Sequence, residues 1–516
     1  MSRPTRQEGK TMSNPNILAL TRVLLTAVGT ALVACAPATD NAVTEAEPAV
    51  AEPATPLYLS RKPVSTDCGV ESTPPNFPGF ANRPHAEIGD MAPPVAKNLA
   101  VGADRPMVET DHERVSPGYV LIEPAYVKPM FLVNNDKEVV ATFENDYFSF
   151  TQLLDDGSRL ASSIVWDEVF HFGGGQRGCL EEYATDGSLN WRVRLADENY
   201  IQHHDMVKLD NGNVLTLVWE RVSTAQAIAL GRNPEHVAEN GNFWFDGIVE
   251  VDPMTAEIVW EWSNRHHLIQ DFDPGKPNYG VVADHPELLD INVIDFENDG
   301  SVSADWTHFN ALDYNPELDQ MVISSPALDE VYIIDHGTTP YESQGAAGDF
   351  LYRWGDPQNY GRGAEEDRIL LNQHDVHWIK PGLPGAGNLM IFNNGDSDVR
   401  PYSTVIEFRP EMNDDGSYVL NEGEPYGPEE LVWEYHPEPE EQFFSFFISG
   451  AQRLPNGNTL VNQGAGAKVR EVTADGEIVC EYAYKDDTDA PHMLFRAYRF
   501  SADHAAVAAI IEQSGK

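Results

Sequence analysis

The chain has 516 residues, of which 41% are hydrophobic, so it carries enough apolar material for a large core. Its 82 acidic residues against 34 basic ones give a formal net charge of −48, which repels phosphate groups and argues against nucleic-acid partners. A substrate that is itself an anion would need cationic groups close to its binding site. The 39 Gly and 36 Pro, many in Asn-Gly, Asp-Gly and Pro-Gly pairs between short apolar runs, predict an all-β protein.

The N-terminal stretch is typical of an export signal. Arg22 precedes an apolar run, 23–34, that is too short to span a bilayer, for which about 20 residues are needed. The run ends in the letters LVAC at Cys35, which resemble the bacterial lipobox, where signal peptidase cleaves before a lipid-modified cysteine. We therefore expect a signal peptide over 1–35 and an exported protein, periplasmic or at the cell surface, that is lipid-anchored at Cys35. A plain secretory signal and an uncleaved anchor are the alternatives.

The remainder of the chain divides by composition. Residues 36–67 are rich in Ala, Pro and Glu and have little to bury, so they predict a disordered tether. A short, Pro-rich N-terminal extension follows over 68–113. We place the folded domain at 114–506 and a C-terminal tail at 507–516.

Three cysteines remain after the signal. An oxidising compartment permits one disulfide among Cys68, Cys179 and Cys480, and we favour Cys68 with Cys179. The cysteine spacings fit no metal site, and we expect no cofactor.

The folded domain contains a repeated pattern of short strands. Three segments each contain an apolar residue, a tight turn with Asn-Gly or Asp-Gly, and a second apolar strand. This pattern indicates hairpins. They are LDDGSRLASSI (154–164), LDNGNVLTLVW (209–219) and LPNGNTLVNQG (454–464). Further strands end in similar phrases, namely KEVVATF (137–143), GSLNWRV (187–193), AEIVWEW (256–262), EELVWEY (429–435) and GEIVCEY (476–482).

This layout gives about six units of four strands, so we predict a six-bladed β-propeller with inserted loops on one face. The innermost strands of a propeller line its central channel. The starts of the six innermost strands align at Phe150, Asp205, Asn310, Asp375, Gly450 and Arg496.

Histidines recur just before three of these aligned positions. His203 and His204 lead into the second unit, His308 into the third and His374 into the fourth. A single histidine at a strand end is usually structural, but equivalent positions of neighbouring blades converge on the axis. The repeat therefore predicts a site in the channel.

Several phrases together resemble the arylsulfotransferase family of exported bacterial enzymes. They are HHDMVKLDNGNVL, DWTHFNALDYNPELDQMVISS, LYRWGDPQNYGRG, QHDVHWI, MIFNNG and SGAQRLPNGNTLVNQG, spread in order over roughly 166–482. The resemblance implies a six-bladed propeller that moves sulfuryl groups from an aryl sulfate donor to a phenolic acceptor without a nucleotide sulfate.

The resemblance also implies roles for the histidines. His374 would be the nucleophile that becomes transiently sulfurylated, which splits the transfer into two steps of a ping-pong route. His204 and His308 would be the other catalytic residues, and together with His203 and Asn310 they would bind the sulfuryl oxygens and handle the acceptor proton.

One residue departs from the family pattern. Close family members have Ser-Ser-Arg after the HFN strand, and the Arg clamps the sulfuryl group, whereas this chain has Ser-Ser-Pro ending at Pro326. Proline has no side-chain donor. We therefore expect Arg496, at the aligned position of the last unit, to bind the substrate instead, with Arg453 and Arg353 as alternatives.

Two other functions remain open from the sequence. Histidines from successive blades could hold a transition metal on the axis of a metal-dependent propeller enzyme. A propeller that lacks the clamping Arg could also be a non-catalytic module that binds a ligand or partner. The phrase FFSFF (443–447) is interpreted as core packing, with the wall of an aryl pocket as the alternative.

Overall fold

The structure, a computed structural model, describes residues 65–68, 108–125, 130–143, 150–165, 170, 174–294, 302–437, 443–484 and 493–514. The expected signal peptide at 1–35 with Cys35, and the tether up to residue 64, lie outside the described residues. Most of the extension at 68–113 lies outside them as well.

The strands are as follows in chain order. The first eleven are β1 (Tyr119–Pro124), β2 (Met130–Val133), β3 (Val139–Phe143), β4 (Phe150–Leu153), β5 (Arg159–Ile164), β6 (Gly178–Tyr183), β7 (Leu189–Arg194), β8 (Tyr200–Lys208), β9 (Val214–Ser223), β10 (Asn242–Asp252) and β11 (Glu257–Ser263). The next six are β12 (Leu268–Ile269), β13 (Leu289–Asp290), β14 (Ala311–Asn315), β15 (Gln320–Ser325), β16 (Glu330–Asp335) and β17 (Tyr352–Trp354). The last nine are β18 (His374–Trp378), β19 (Leu389–Asn393), β20 (Thr404–Phe408), β21 (Trp433–Tyr435), β22 (Gly450–Arg453), β23 (Thr459–Gln463), β24 (Lys468–Val472), β25 (Ile478–Ala483) and β26 (Leu494–Phe500).

These strands form six four-stranded antiparallel sheets within the described residues, besides the short parallel pair β12–β13. Blade 1 is β4–β7, blade 2 is β8–β11, blade 3 is β14–β17, blade 4 is β18–β21 and blade 5 is β22–β25. Blade 6 has the order β26-β1-β2-β3. The predicted all-β, six-bladed propeller is confirmed, and the innermost strands are β4, β8, β14, β18, β22 and β26, as the repeat indicated.

Blade 6 joins the two ends of the domain. Its inner strand β26 comes last in the chain and pairs antiparallel with β1, so that Tyr119 lies opposite Phe500 and Glu123 opposite Arg496. The local sequence gave no sign of this closure, because each strand forms only when the distant partner is present. The ring therefore closes through a pairing between the first and the last strands.

Apolar side chains fill the space between adjacent blades. One cluster joins Phe150 and Leu180 of blade 1 to Met206 and Val218 of blade 2, and all four side chains are fully buried. Burial of one such side chain is worth about 1.5–3 kcal/mol. The blades are therefore held face to face by ordinary core packing, which leaves the polar strand starts for the channel.

Helices are few in the described residues. Helix α1 spans Thr224–Ala229, and helix α2 spans Ala505–Ser514 and packs Val507 against blade 6, so the expected tail is largely helical. Neither helix has the length and hydropathy that a bilayer span requires.

The predicted disulfide is confirmed. Cys68 is joined to Cys179, with the two Cα atoms 5.8 Å apart, and this link fastens the short segment 65–68 to blade 1. Cys480 is buried and free.

Candidate active site

Breaks in the hydrogen-bond ladder of the inner strands set the orientation of the histidine side chains. In β8, His203 lies opposite Leu217 but Met206 lies opposite Thr216, so the intervening residues bulge out of the ladder. His204 accordingly has a positive φ of 45°. Bulges of this kind bend a strand and re-aim its side chains. The bulge explains why His204 leaves the ladder and turns toward His308 of blade 3, whereas His203 stays paired with Leu217.

Similar backbone irregularities occur in β18 of blade 4 and just before β14 of blade 3. In β18 the ladder slips between His374 and His377, and Asp375 has a φ of 61°. His308, just before β14, has a φ of 45°. Positive φ is uncommon for residues other than glycine. Positive φ thus recurs within two residues of the aligned strand starts of blades 2, 3 and 4, where the backbone departs from regular sheet.

Three of the four expected histidines form one cluster of rings. The ring centroids of His204 and His308 are 4.7 Å apart in a T-shaped arrangement, and those of His203 and His204 are 5.2 Å apart. Trp219 lies beneath them, stacked on His203 at 4.1 Å. Blades 2 and 3 therefore bring their imidazoles into direct contact.

A glycine makes room for this cluster. Gly175 has a φ of 83°, and a Cβ built on it would lie 2.2 Å from His204 Nε2. The backbone oxygen of Gly175 also accepts a hydrogen bond from the backbone N–H of His204 at 2.8 Å. Only glycine permits both this conformation and this close approach.

His308 is paired with a buried carboxylate. Its Nδ1 lies 2.5 Å from Asp305 Oδ2, and its side chain is 25% exposed, so part of the ring faces the channel. Burial raises the pKa of Asp305, while the charge of His308 opposes the rise. An imidazole backed by a carboxylate at Nδ1 suits proton transfer at Nε2.

The fourth histidine, His374, has a fixed tautomer. Its Nδ1 contacts two oxygen acceptors, the backbone oxygen of Asn372 at 3.0 Å and Asn394 Oδ1 at 2.9 Å. Because Nδ1 must carry the hydrogen, Nε2 keeps its lone pair. Burial lowers the pKa of His374 to about 4, the two hydrogen bonds oppose this, and the charges of His308 and Arg496 add to it. The lowered pKa favours neutral His374 at pH 7, with the lone pair on Nε2.

The amide of Asn394 is itself held in one orientation. Its Nδ2 donates to the backbone oxygens of Ser445 at 2.7 Å and Ile448 at 2.9 Å, which turns Oδ1 toward His374. Ile448 and Ser449 both have positive φ, 49° and 91°. Such conformations cost about 1–3 kcal/mol each and persist where the surroundings enforce them. The strained loop thus presents the acceptors that position Asn394.

His204 is also kept neutral. Burial lowers its pKa well below the usual range, and the charges of His308, His203, Arg177 and His374 add to the effect. The charges of His374 and Arg177 thus act on the same imidazole as the charges of the ring cluster.

The expected substrate residue Arg496 is paired with two carboxylates. Its guanidinium contacts both oxygens of Asp205, at 3.2 and 2.9 Å, and lies 3.3 Å from Asp375 Oδ1. Each Asp also accepts a backbone N–H of the next blade, from Leu312 and Ala451 respectively. Burial opposes its protonation, yet the charge of Asp205 raises the pKa of Arg496 well above its usual value. The three side chains tie blades 2, 4 and 6 together across the axis.

The other expected substrate residues have defined partners. Asn310 is buried, and its Nδ2 donates to the backbone oxygen of Gln373 at 2.8 Å, beside His374. His203 has no exposed surface and contacts His204 and Asp246 through its two nitrogens. Both therefore lie directly behind residues of the channel.

Arg353 and Arg453, the alternatives for anion binding, lie in other pairs. Arg353 is fully buried against Glu330, and Arg453 lies 2.5 Å from Glu407. Pro326 is buried after β15, and the two serines before it contact Gln373 Nε2 through Ser324 Oγ and the backbone oxygen of Ser325. Ser324 and Ser325 thus support the segment that carries His374.

The sequence reasoning missed several residues. Asn394 and Asp305 lie in the family-like phrases MIFNNG and DWTHF. Their polar side chains next to a strand end could have indicated a place in the site. Gly175 belongs to a run of three glycines, which was a second signal. Asp246 lies inside β10 with no local signal. Arg177 follows the glycine run, and its guanidinium carbon lies 5.7 Å from the ring of Phe495, which also contacts Arg496.

Two further expectations concern metals and the FFSFF segment. In the part of the chain that the structure describes, no three His, Cys, Asp or Glu side chains are grouped as metal ligands.

In the FFSFF segment, Phe443 is buried in the core, whereas Phe446 is 61% exposed and its ring lies 4.5 Å from that of Phe447. The segment is therefore core at its start and surface at its end.

The comparisons with known proteins bear on the family. The chain matches the family model described as Arylsulfotransferase (ASST) over residues 167–499, and no curated protein gave a significant match. Among solved structures, a protein of unknown function from Bacteroides caccae is 12% identical, with a TM-score of 0.38, over 74% of this chain and 98% of that chain. The periplasmic gluconolactonase PpgL from Pseudomonas aeruginosa is 10% identical, with a TM-score of 0.37, over 74% of this chain and 100% of that one. Similarity at this level carries no information on activity. The family match, in contrast, covers well over half of the chain and all four channel histidines, and this protein belongs to the arylsulfotransferase family.

Proposed function

We propose that this protein transfers a sulfuryl group from an aryl sulfate to a phenol by a ping-pong route through His374. Family membership supports sulfotransfer in general, and the geometry of His374 supports the route. The observation that carries the proposal is the pair of hydrogen bonds at Nδ1, to Asn394 Oδ1 and the oxygen of Asn372, which leaves the lone pair on Nε2.

The first step breaks the donor. His374 Nε2 attacks sulfur, the N–S bond forms, and the S–O bond to the aryl group breaks. The ring becomes cationic because Nδ1 keeps its hydrogen, and the two acceptor oxygens stabilise that charge. The departing phenolate takes a proton from a channel imidazole. In the second step the acceptor phenol loses its proton to that imidazole, its oxygen attacks sulfur, and the N–S bond breaks.

The carboxylate-backed His308 and the neutral His204 are the groups best placed to handle these protons. The sulfuryl oxygens require a cation or several donors. Arg496 already faces two carboxylates, so its net contribution of positive charge is small. Arg177, whose charge lowers the pKa of His204, is a second candidate for this role.

The test uses purified wild-type protein, a chromogenic aryl sulfate and phenol. We expect release of the aryl group and a single sulfuryl adduct on His374 in rapidly quenched samples. His374→Ala should abolish both. His377→Ala is the matched control, since His377 lies on the same strand and its Nδ1 contacts the backbone oxygen of Asp375 at 2.8 Å. Turnover without any adduct would contradict the covalent route, and absence of turnover across a panel of donors would contradict the proposed activity.

We further propose that the protein is exported and lipid-anchored at Cys35. The support is the sequence alone, namely a short apolar run that ends in a lipobox-like cysteine.

A further inference from the structure

A chain of buried groups extends from the ring cluster into the wall of blade 2. His203 Nδ1 lies 2.9 Å from His204 Nδ1, and His203 Nε2 lies 3.1 Å from Asp246 Oδ1. The contact between His203 and Asp246 is within ion-pair distance but lacks the alignment of a hydrogen bond. The side chains of His203 and Asp246 are both fully buried. Thr307 Oγ1 donates to the other oxygen of Asp246, which identifies that carboxyl as an acceptor.

The distance between the two imidazoles restricts their protons. Two ring nitrogens 2.9 Å apart need one hydrogen between them, on one ring or on the other. A carboxylate beside His203 Nε2 favours a hydrogen on that nitrogen. Two states therefore satisfy all contacts. In one, both rings are neutral, His204 Nδ1 carries the shared hydrogen and His204 Nε2 is bare. In the other, His203 is an imidazolium ion beside Asp246, and neutral His204 carries its hydrogen on Nε2.

We propose that Asp246, His203 and His204 form a proton relay, in which buried His203 holds the proton that His204 exchanges with the phenolic oxygen. This inference rests on the proposed function. In the described part of the chain, His204 Nε2 makes no hydrogen bond, so it is the end of the relay that would exchange the proton with the substrate.

The relay balances each half-reaction. When the acceptor phenol loses its proton, the proton binds His204 Nε2, and the hydrogen on His204 Nδ1 moves to His203 Nδ1. The result is a neutral His204 and a cationic His203 next to the Asp246 carboxylate. When the donor is cleaved, the same shifts run in reverse and deliver the proton to the phenolate. No proton is gained or lost over the two steps.

The relay explains how His204 can exchange protons at all. Burial lowers the pKa of His204 well below its usual range, so alone it would hold a proton poorly at neutral pH. A positive charge on His203 is compensated by Asp246, and Trp219 covers its ring face at 4.1 Å. The other ionisable groups that face the pair are His308, His374, Arg177 and Asp305.

The dependence of the rate on the leaving group of the donor distinguishes a proton relay from a merely structural role of Asp246 and His203. Asp246→Asn should slow adduct formation from phenyl sulfate, measured in a single turnover without acceptor, by about 100-fold or more, the range expected for lost acid–base catalysis. For 4-nitrophenyl sulfate the loss should stay below about 10-fold, because nitrophenolate leaves without a proton. His203→Asn keeps an acceptor for His204 Nδ1 but cannot hold a proton, and it should show the same pattern. Equal losses for both donors, or no loss for either, would overturn the proposal.

The control variants break a similar buried His–Asp pair at another place in the fold. His267 is fully buried, lies 2.7 Å from Asp349 and stacks on Trp262 at 5.1 Å, much as His203 stacks on Trp219. His267→Asn and Asp349→Asn report the cost of breaking such a pair away from the channel. They should affect both donors alike.

A second measurement needs no activity. Nitrogen NMR of the wild-type protein with labelled histidine should show a coupling between His203 Nδ1 and His204 Nδ1 through one shared hydrogen. The absence of such a coupling would overturn the relay even in an active enzyme. If the wild type cleaves no aryl sulfate, the proposed function fails, while the NMR result still decides whether the two rings share a proton in this way.

Discussion

Asn394 is the residue whose loss should weaken the nucleophile without removing it. Asn394→Ala takes away one of the two acceptors of His374 Nδ1 and leaves the backbone oxygen of Asn372. A hydrogen bond of this kind contributes about 0.5–1.5 kcal/mol net. The tautomer with a bare Nε2 is then favoured less, and the cationic sulfurylated ring is stabilised less. Since about 1.4 kcal/mol is tenfold in rate, adduct formation should slow about 2- to 12-fold.

The same substitution also affects stability. The backbone oxygens of Ser445 and Ile448 lose their shared donor, and an unsatisfied buried acceptor costs about 1–3 kcal/mol. Asn393→Ala is the control, because Asn393 is equally buried and binds the backbone of Leu371 and Ile369 instead. Both variants should melt at a lower temperature than the wild type.

The assay is rapid-quench formation of the adduct from 4-nitrophenyl sulfate at a temperature where all variants are folded. We expect a slower rate for Asn394→Ala and a rate near that of the wild type for Asn393→Ala. A wild-type rate for Asn394→Ala would show that the tautomer is not limiting. Equal slowing in the two variants would refute a specific role of Asn394 and point to the loop as a whole.

The remaining predictions test other parts of the site. Because the pKa of His374 is lowered to about 4, adduct formation should be insensitive to this group above pH 5 and should fall as the pH drops through 4, when Nε2 is protonated; a midpoint near 6.5 in a pH–rate profile would contradict the burial argument. Gly175→Ala should displace the His204 ring, reduce turnover of phenyl sulfate and lower the melting temperature, and an unchanged kcat would show that the ring can shift without loss of activity. Arg496→Met leaves two buried carboxylates without their cation and should destabilise the fold by about 3–5 kcal/mol in denaturant titrations, with partial recovery on adding Asp375→Asn; an unaltered midpoint for the single variant would count against the pairing. Cys35→Ala should move the protein from the membrane fraction to the soluble one, whereas a wild-type protein that is already soluble would disprove the anchor.

The fold could be predicted because its signals are local. Asn-Gly and Asp-Gly turns define hairpins, and the repeat of four strands defines blades, so the inner strands were located before their partners were known. The positions of His204, His308 and His374 followed from the same alignment. The closure of blade 6 did not, since the pairing of β26 with β1 joins residues 119–124 to residues 494–500, and no short window contains that information.

The roles of the charged residues were hidden for a different reason. The position of Arg496 at the channel was foreseen, but Asp205 and Asp375 reach it from other blades, and only the closed ring shows that its charge is balanced. Asn394 could be connected to His374 only through the register of β18 with β19, in which His374 lies opposite Phe392. Sequence periodicity gives the face on which a side chain lies, whereas the partner of a buried charge depends on the assembled tertiary structure.

The pairing of the last strand with the first three has a consequence for the order of assembly. As the chain is synthesised, β1–β3 form an incomplete blade, and the channel lacks one wall until β26 has been made. Asp205 and Asp375 have no cation until Arg496 arrives on that strand, so the bulged starts of blades 2 and 4 have no electrostatic link across the axis. A chain that stops before β26 should therefore contain every channel histidine and still lack a defined site. Activity in this propeller should appear in a single step with ring closure, and nicking within 494–500 should abolish it at once rather than by degrees.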